Sequence, residues 1–490
     1  MIRLRVLLLL CVLLTACSKD EPEANDPEQE QHDDGDDPEG DASFLINVST
    51  NENYLSAVAK SYLYITDLDN NLIGDFLEVK NNLNQSKIDR PDSFTDDRFN
   101  LHQLTISTFE RDGIPINTIL IRSYLNIKPT TVNLRKDRTT DCNTIASGSV
   151  KVTLMDISDF SYGSMSYNDC SKSTLSNPVS FSDFGYFYIP NTDVYIHLKD
   201  FNNLGSYVRF SNVNDGDEYQ VTGTDFNTDM TLVSPNFNAP IAGISVTEVD
   251  NERYDYKKLF MYRHVRNSDD PDDMENFNYY LPNDDDDAIY RTEAVHAEGI
   301  GEGSYNSISY NNKSTLPDIG ILNGQVIVSN PMDPFTSSYK KQGDGDILMT
   351  NFYGYDGIEV NGNMRVTNSA FYQIINDGSN HTYQYPAVPA VLANLYPESS
   401  GDLLINGEFG TCYYELIDSG SHDTYEGYVK SLLKSDRSAA PEVRVPSIKR
   451  NRNNFYFRGI GPLPTTNDLF QENPSDIGYL TNYYINSIHL

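Results

Sequence analysis

From Phe44 onward the apolar residues come in short alternating runs rather than helical stripes. Tyr62-Leu63-Tyr64-Ile65, Leu104-Thr105-Ile106-Ser107, Ile116 to Ile121, Thr131-Val132-Asn133-Leu134 and Gly148-Ser149-Val150-Lys151-Val152 fit the two-residue period and residue preferences of strands. Between such runs stand Asp112-Gly113, Asp215-Gly216, Asn323-Gly324, Asn361-Gly362 and Asn406-Gly407. These dipeptides tolerate positive φ, so each predicts a hairpin. Ile358-Glu359-Val360 and Met364-Arg365-Val366 flank one of them with matched alternation; Leu403-Leu404-Ile405 and Glu408-Phe409 flank another. Regular short strands with this turn spacing predict an all-β fold of sandwiches rather than a parallel sheet. One helical period stands out, Thr424 to Lys434, where Tyr425, Val429, Leu432 and Leu433 share a face and Asp423 is placed to cap the start. Val388 to Tyr396 fits a second short helix or a buried strand.

The residues beyond Phe44 are too many for one sandwich, and length predicts tandem β-sandwich-like domains. The expected boundaries are 44–138 for the first, 148–265 for the second and 288–490 for the third, which is one unit or two. An acidic loop or boundary, 266–287, separates the last pair; Ser268 to Asp287 carries nine acids in twenty residues. A faint repeat relates Leu63-Tyr64-Ile65, ahead of Asp69 and Asn71, to Val194-Tyr195-Ile196, ahead of Asp200 and Asn202.

The amino terminus follows other rules. Arg3 and Arg5 precede a nine-residue apolar run, Val6 to Leu14, which Thr15-Ala16-Cys17 closes. Nine residues are too few to cross a bilayer, which takes about twenty. Basic start, apolar run and small residues before a cysteine define a secretory signal, 1–16, with a lipid-attachment site at Cys17. Ser18 to Ser43 then holds twelve acids, one lysine and three prolines among 26 residues. Such a segment buries too little to offset its chain entropy, and its charges repel. Residues 17–43 are therefore expected to be a disordered, extended tether.

The Leu14-x-Ala16-Cys17 box resembles that of bacterial lipoproteins. Cys17-Ser18-Lys19-Asp20-Glu21 is similar to the surface-export signal of Bacteroidota-type lipoproteins. The resemblance covers only these few residues. It implies a lipid anchor in the outer membrane, with the protein facing the cell exterior.

Charge narrows the partners. The formal net charge is −35, of which −26 falls on residues 44–490. Such a field opposes nucleic acid, whose binding needs Lys and Arg to displace counterions, and it opposes anionic surfaces. Cations suit it better. Calcium takes six to eight oxygens, and two segments offer them. Asp67, Asp69 and Asn71 have one-three-five spacing with Glu78 at the twelfth place, although Leu72 replaces the usual glycine at the sixth; a plain hairpin turn is the competing interpretation. Asp284, Asp285, Asp286 and Asp287 form the second segment, Asp344-Gly345-Asp346 a weaker third. No cofactor is firmly indicated; calcium is the candidate. Outside the cytoplasm disulfides persist, and Cys142 and Cys170, in polar segments, are the expected pair, while Cys412 reads as a core-facing strand residue.

No metalloprotease, nucleophile-elbow or phosphate-loop motif occurs, and Gly299-Ile300-Gly301-Glu302-Gly303 lacks a βαβ context. The eight histidines, His296 and His381 included, are scattered. Thirty-four tyrosines and no tryptophan remove the largest sugar-stacking platform, although tyrosine can stack and donate a hydrogen bond. The expectation is a non-catalytic surface lipoprotein that binds a protein or glycan partner or joins an outer-membrane assembly; in layout it resembles accessory lipoproteins of glycan-uptake systems. A surface glycoside hydrolase or lyase, needing two suitably spaced carboxylates, and a calcium-dependent adhesin are the alternatives.

Overall fold

The computed structural model describes residues 43–456, apart from 51–53, 56, 112, 135–147, 156, 158–159, 161, 168–169, 175–179, 187–191, 201–203, 238–242, 250–256, 266–277, 284–286, 298–303, 331–334, 361–362, 419–424 and 435–446. The signal segment, Cys17, the tether up to Ala42, Cys142 and the acids Asp284, Asp285 and Asp286 therefore lie outside the described residues.

The described chain is all-β, with three short helices: α1 (Ala390–Ala393), α2 (Glu398–Ile405) and α3 (Tyr425–Lys434). None is long and apolar enough to cross a membrane. The first seven strands are β1 (Phe44–Thr50), β2 (Ala59–Thr66), β3 (Leu72–Val79), β4 (Ser86–Asp89), β5 (Phe99–Arg111), β6 (Ile114–Ile127) and β7 (Thr130–Leu134).

A twelve-stranded sheet organises the body, in the order Lys257–Val265, Gly243–Val249, Ile289–Ala297, Ser304–Asn311, Ser447–Tyr456, Thr411–Asp418, Ile347–Val360, Asn363–Asn376, β6, β5, β2, β3. All pairs are antiparallel but one: Asn363–Asn376 runs parallel to β6, with Asn368 opposite Asn117 and Ile375 opposite Tyr124. That pairing joins segments about 250 residues apart in the chain and brings strands of all three expected segments into one sheet.

Both faces of the β2–β5–β6 region are covered, which explains why Tyr62-Leu63-Tyr64-Ile65 is buried at every position. Leu63 and Ile65 join the small sheet β4-β1-β7 through Leu45, Ile46, Val48, Val132 and Leu134. Tyr62 and Tyr64 turn the other way, into a cluster with Phe352, Tyr372, Tyr383, Leu403, Leu404 and Phe409. There the aromatic rings of Phe352, Tyr383 and Phe409 meet at centroid separations of 4.9 to 5.3 Å. Each such side chain contributes about 1.5–3 kcal/mol by burial. The predicted helix exists as α3: Tyr425, Val429 and Leu433 are buried in the first cluster, and the Tyr425 hydroxyl donates to the carbonyls of Leu125 (2.8 Å) and Ile375 (2.9 Å). At its first turn Glu426 pairs with Arg98.

A second stack lies farther along. Sheet Ser180–Tyr186, Gly148–Met155, Glu218–Thr222 packs on sheet Cys170–Thr174, Tyr162–Tyr167, Thr192–Lys199, Gly205–Val213. Val194, Ile196 and Leu198 fill the space between them, whereas Tyr195 on the opposite face joins Ile244, Val246 and Tyr290 of the twelve-stranded sheet.

Several turn dipeptides behave differently from the expectation. Gly113, at φ 77°, does lie between paired strands, with Arg111 opposite Ile114; Asp112 and Asn361-Gly362 lie outside the described residues. Asp215-Gly216 instead carries the chain between two sheets, since Gly205–Val213 and Glu218–Thr222 do not pair with each other. Asn323-Gly324 likewise joins strands of separate sheets. Asn406-Gly407 closes a helix: Gly407 sits at φ 59°, its N–H reaches the Leu404 carbonyl (3.2 Å), and the Glu408 N–H reaches that of Leu403 (2.9 Å). These are the two capping bonds of a Schellman ending, which needs the same left-handed residue as a hairpin. Leu403-Leu404-Ile405 is therefore helix, not strand. Val388 to Tyr396 contains only the single turn α1.

Candidate binding cavity

At one end of the central sheet, the β2–β3 hairpin, the start of β5, the end of β6 and the end of Asn363–Asn376 meet residues 377–386 around a cavity of about 390 Å³. The hairpin is Asp67-Leu68-Asp69-Asn70-Asn71, the first of the expected calcium segments. Its geometry is that of a side-chain-closed turn: the Asp67 carboxylate accepts the Asn71 backbone N–H (2.7 Å) and side-chain amide (2.9 Å), and the Asp67 N–H donates to the Asn71 carbonyl (2.8 Å). Burial alone would raise the Asp67 carboxyl, but bonds from Asn71 and from the Asp69 backbone outweigh it and hold it below the usual carboxylate range. Asp200 closes the hairpin after Thr192–Lys199 in the same way, accepting the Leu204 N–H at 2.8 Å.

Asn70, at φ 68°, staples this tip to the far wall. Its amide donates to the Tyr385 carbonyl (3.1 Å) and its oxygen accepts the Ala387 N–H (2.9 Å). Leu68 and Asn70 thus become cavity wall. Glu78 stands apart from the turn, half-exposed on β3 and paired with Lys80 at 3.0 Å. Asp287 is exposed at the end of its acidic run. Among the described residues, no group of three or more His, Cys, Asp and Glu is close enough to hold a metal ion.

Two histidines, one from each side, form the floor. His102 is buried in β5, stacked on Tyr64 at 4.9 Å. Its Nδ1 lies 2.7 Å from Ser123 Oγ and its Nε2 3.0 Å from Thr66 Oγ1. Ser123 donates onward to the Tyr372 hydroxyl (3.3 Å), which donates to the Gln384 carbonyl (3.2 Å). That direction leaves Ser123 to accept from Nδ1–H, so the network selects a neutral ring with Nε2 as acceptor. Burial lowers the His102 pKa to about 3. His381 meets Thr350 Oγ1 at 3.0 Å and accepts the Asn376 amide at 2.6 Å. Burial lowers it to about 4, against smaller raising contributions from Ser379 and Asp377. Asn100 completes the floor, donating to Thr66 (3.3 Å) and the Asp67 carbonyl (2.9 Å) and accepting the Asn126 N–H (3.0 Å). Asn100, His102, Asn376 and His381 are thus paired with one another or with neighbouring groups, and among the described residues the base of the cavity carries no charge.

Above the floor stand Asn126, Ser379, Asn380, Thr382 and the Gln384 side chain, with Leu68, Leu125, Ile374 and Pro386 between them. Among the described residues, the only formal charge in the lining at neutral pH is Asp377, one of whose oxygens accepts the Ser379 N–H at 2.9 Å.

The other sequence candidates do not join this cavity. Cys412 is buried, as its strand position suggested; its thiol lies 3.4 Å from the Tyr339 hydroxyl, and burial pushes it up to about 12. Cys170 begins a strand. Tyr353 and Tyr355 share a strand face, with ring centroids 5.7 Å apart. Sequence reasoning did not single out Asn100, His102, Asn126, Asn376, Asn380 or Gln384. One faint signal existed: His102-Gln103 breaks an apolar run in mid-strand, where a polar residue needs a partner.

No protein-family model matches the chain, and no curated protein does. Among solved structures it is similar to a mutant of Salmonella alpha-2-macroglobulin at 10% identity and a TM-score of 0.12, over 75% of this chain and 30% of that one. The chain thus spans less than a third of that structure's length.

Proposed function

We propose that this chain is a non-catalytic surface lipoprotein, held to the outer membrane through Cys17 and facing the cell exterior, which binds a protein or glycan partner. The cavity carries the binding part of this proposal. Its floor is spent on internal hydrogen bonds, and among the described residues its lining offers one carboxylate, Asp377, where glycoside hydrolysis asks for two. A site with a fixed shape and uncommitted rim groups suits recognition. The basic signal, the Leu14-x-Ala16-Cys17 box and the acidic tether support the location.

Equilibrating the full chain with oligosaccharide mixtures and with surface proteins of the same cells tests the role. The expected result is a partner retained on the protein and recovered chemically unchanged. New reducing ends or unsaturated products would make the chain an enzyme, and retention of nothing would end the binding role.

A further inference from the structure

Resting on the binding role proposed above, we infer that the cavity takes an uncharged, hydroxyl-rich ligand: a neutral sugar of one or two rings, presented free or at the end of a glycan.

The rim decides the chemical class. Asn126, Asn380, Thr382 and Gln384 face the cavity with side chains that make no hydrogen bond among the described residues. A carboxamide offers donors and an acceptor together, and a hydroxyl does the same. Their complement is a ligand whose groups also do both, which describes sugar hydroxyls. Leu68 and Pro386 supply apolar wall for the C–H face of a ring.

Charge excludes the neighbouring classes. Among the described residues no lysine or arginine lines the cavity, and the chain's formal charge is −35, so an anionic ligand would be desolvated without a counterion. A metal ion is held mainly by clustered acids, and among the described residues Asp377 has no second carboxylate beside it in the lining; an organic cation would leave the amide donors idle. The volume, about 390 Å³, is at the small end of the roughly 300–1,000 Å³ range of ligand sites. The floor adds rigidity. Because its polar groups are already paired, little ordering cost accompanies binding.

The experiment is calorimetric titration of the full chain with neutral mono- and disaccharides, with uronic-acid and amino-sugar counterparts, and with a neutral glycan on a carrier protein. Two variants accompany the wild type: Asn380→Ala with Gln384→Ala, and Ser329→Ala, which lies outside the cavity, as control. At least one neutral sugar should bind wild type and control alike, and the double variant should weaken it tenfold or more while retaining its melting temperature. Equal affinity of the free and carried sugar would identify a terminal residue as the epitope. Tighter binding of the carried form identifies the glycan as the source. The inference is overturned if only charged sugars bind, if no sugar binds, or if the double variant binds as well as wild type. In each of those cases a peptide or protein ligand displaced by the same double variant leaves the broader binding role standing.

Discussion

Replacing His102 by glutamine should flatten the acid limb of the protein's stability curve. In the folded chain burial keeps the ring from protonating until about pH 3, and its two nitrogens sit against Ser123 and Thr66. Unfolded, it titrates near the ordinary value of 6.5. Below pH 6.5 the unfolded chain therefore binds a proton that the folded chain refuses, and stability falls as pH falls, by about 1.4 kcal/mol per unit. Between pH 6.5 and 4.5 that is ~2–3 kcal/mol from this one ring. Glutamine cannot titrate. At pH 7.5 the variant should be less stable by about 1–3 kcal/mol for imperfect replacement of two buried hydrogen bonds. The gap should close or reverse by pH 4.5. His197 and His381, also lowered by burial to about 4, titrate in both proteins and cancel in the difference, as do the carboxylates. Urea midpoints by circular dichroism, taken at matched slopes, measure it. Parallel curves for wild type and variant across pH 7.5 to 4.5 would refute the neutral-floor assignment.

Other substitutions test the packing. Tyr425→Phe removes the donor that α3 gives to Leu125 and Ile375; urea denaturation should show a loss of about 1–3 kcal/mol. Gln373→Leu strands a buried row in which Arg122 Nε donates to Gln373 (2.7 Å) and Gln373 donates to Asn351 (2.8 Å); a loss of ~2–4 kcal/mol is expected in the same assay. At Gly354 an added Cβ would lie 2.6 Å from the Glu408 carbonyl, so Gly354→Ala should lower the melting temperature through an overpacking cost of about 1–3 kcal/mol.

The strands were legible because short runs of β-favouring residues, some alternating and some apolar throughout like Tyr62-Leu63-Tyr64-Ile65, stand between turn dipeptides, and α3 because Tyr425, Val429 and Leu433 repeat at helical spacing. Turn dipeptides were legible only as left-handed positions. Gly113 serves a hairpin and Gly407 a helix end with the same backbone need, so composition alone could not separate them. The cavity was out of reach for a different reason. Asn70, Asn126 and Gln384 meet only because Asn363–Asn376 runs parallel to β6, a pairing between distant segments that no local pattern encodes. Asparagine and glutamine there look like ordinary loop residues. The Asp67 segment shows the converse: its spacing suggested an ion, whereas its carboxylate closes a turn and its neighbour Asn70 builds the cavity wall.

The proposed location at the cell surface meets its most direct test in mass spectrometry of the mature amino-terminal peptide, combined with protease treatment of intact cells. A diacylglyceryl group on Cys17, with the body digested while periplasmic markers survive, is the predicted result. An unmodified thiol at Cys17, or a body protected until the outer membrane is breached, would contradict it.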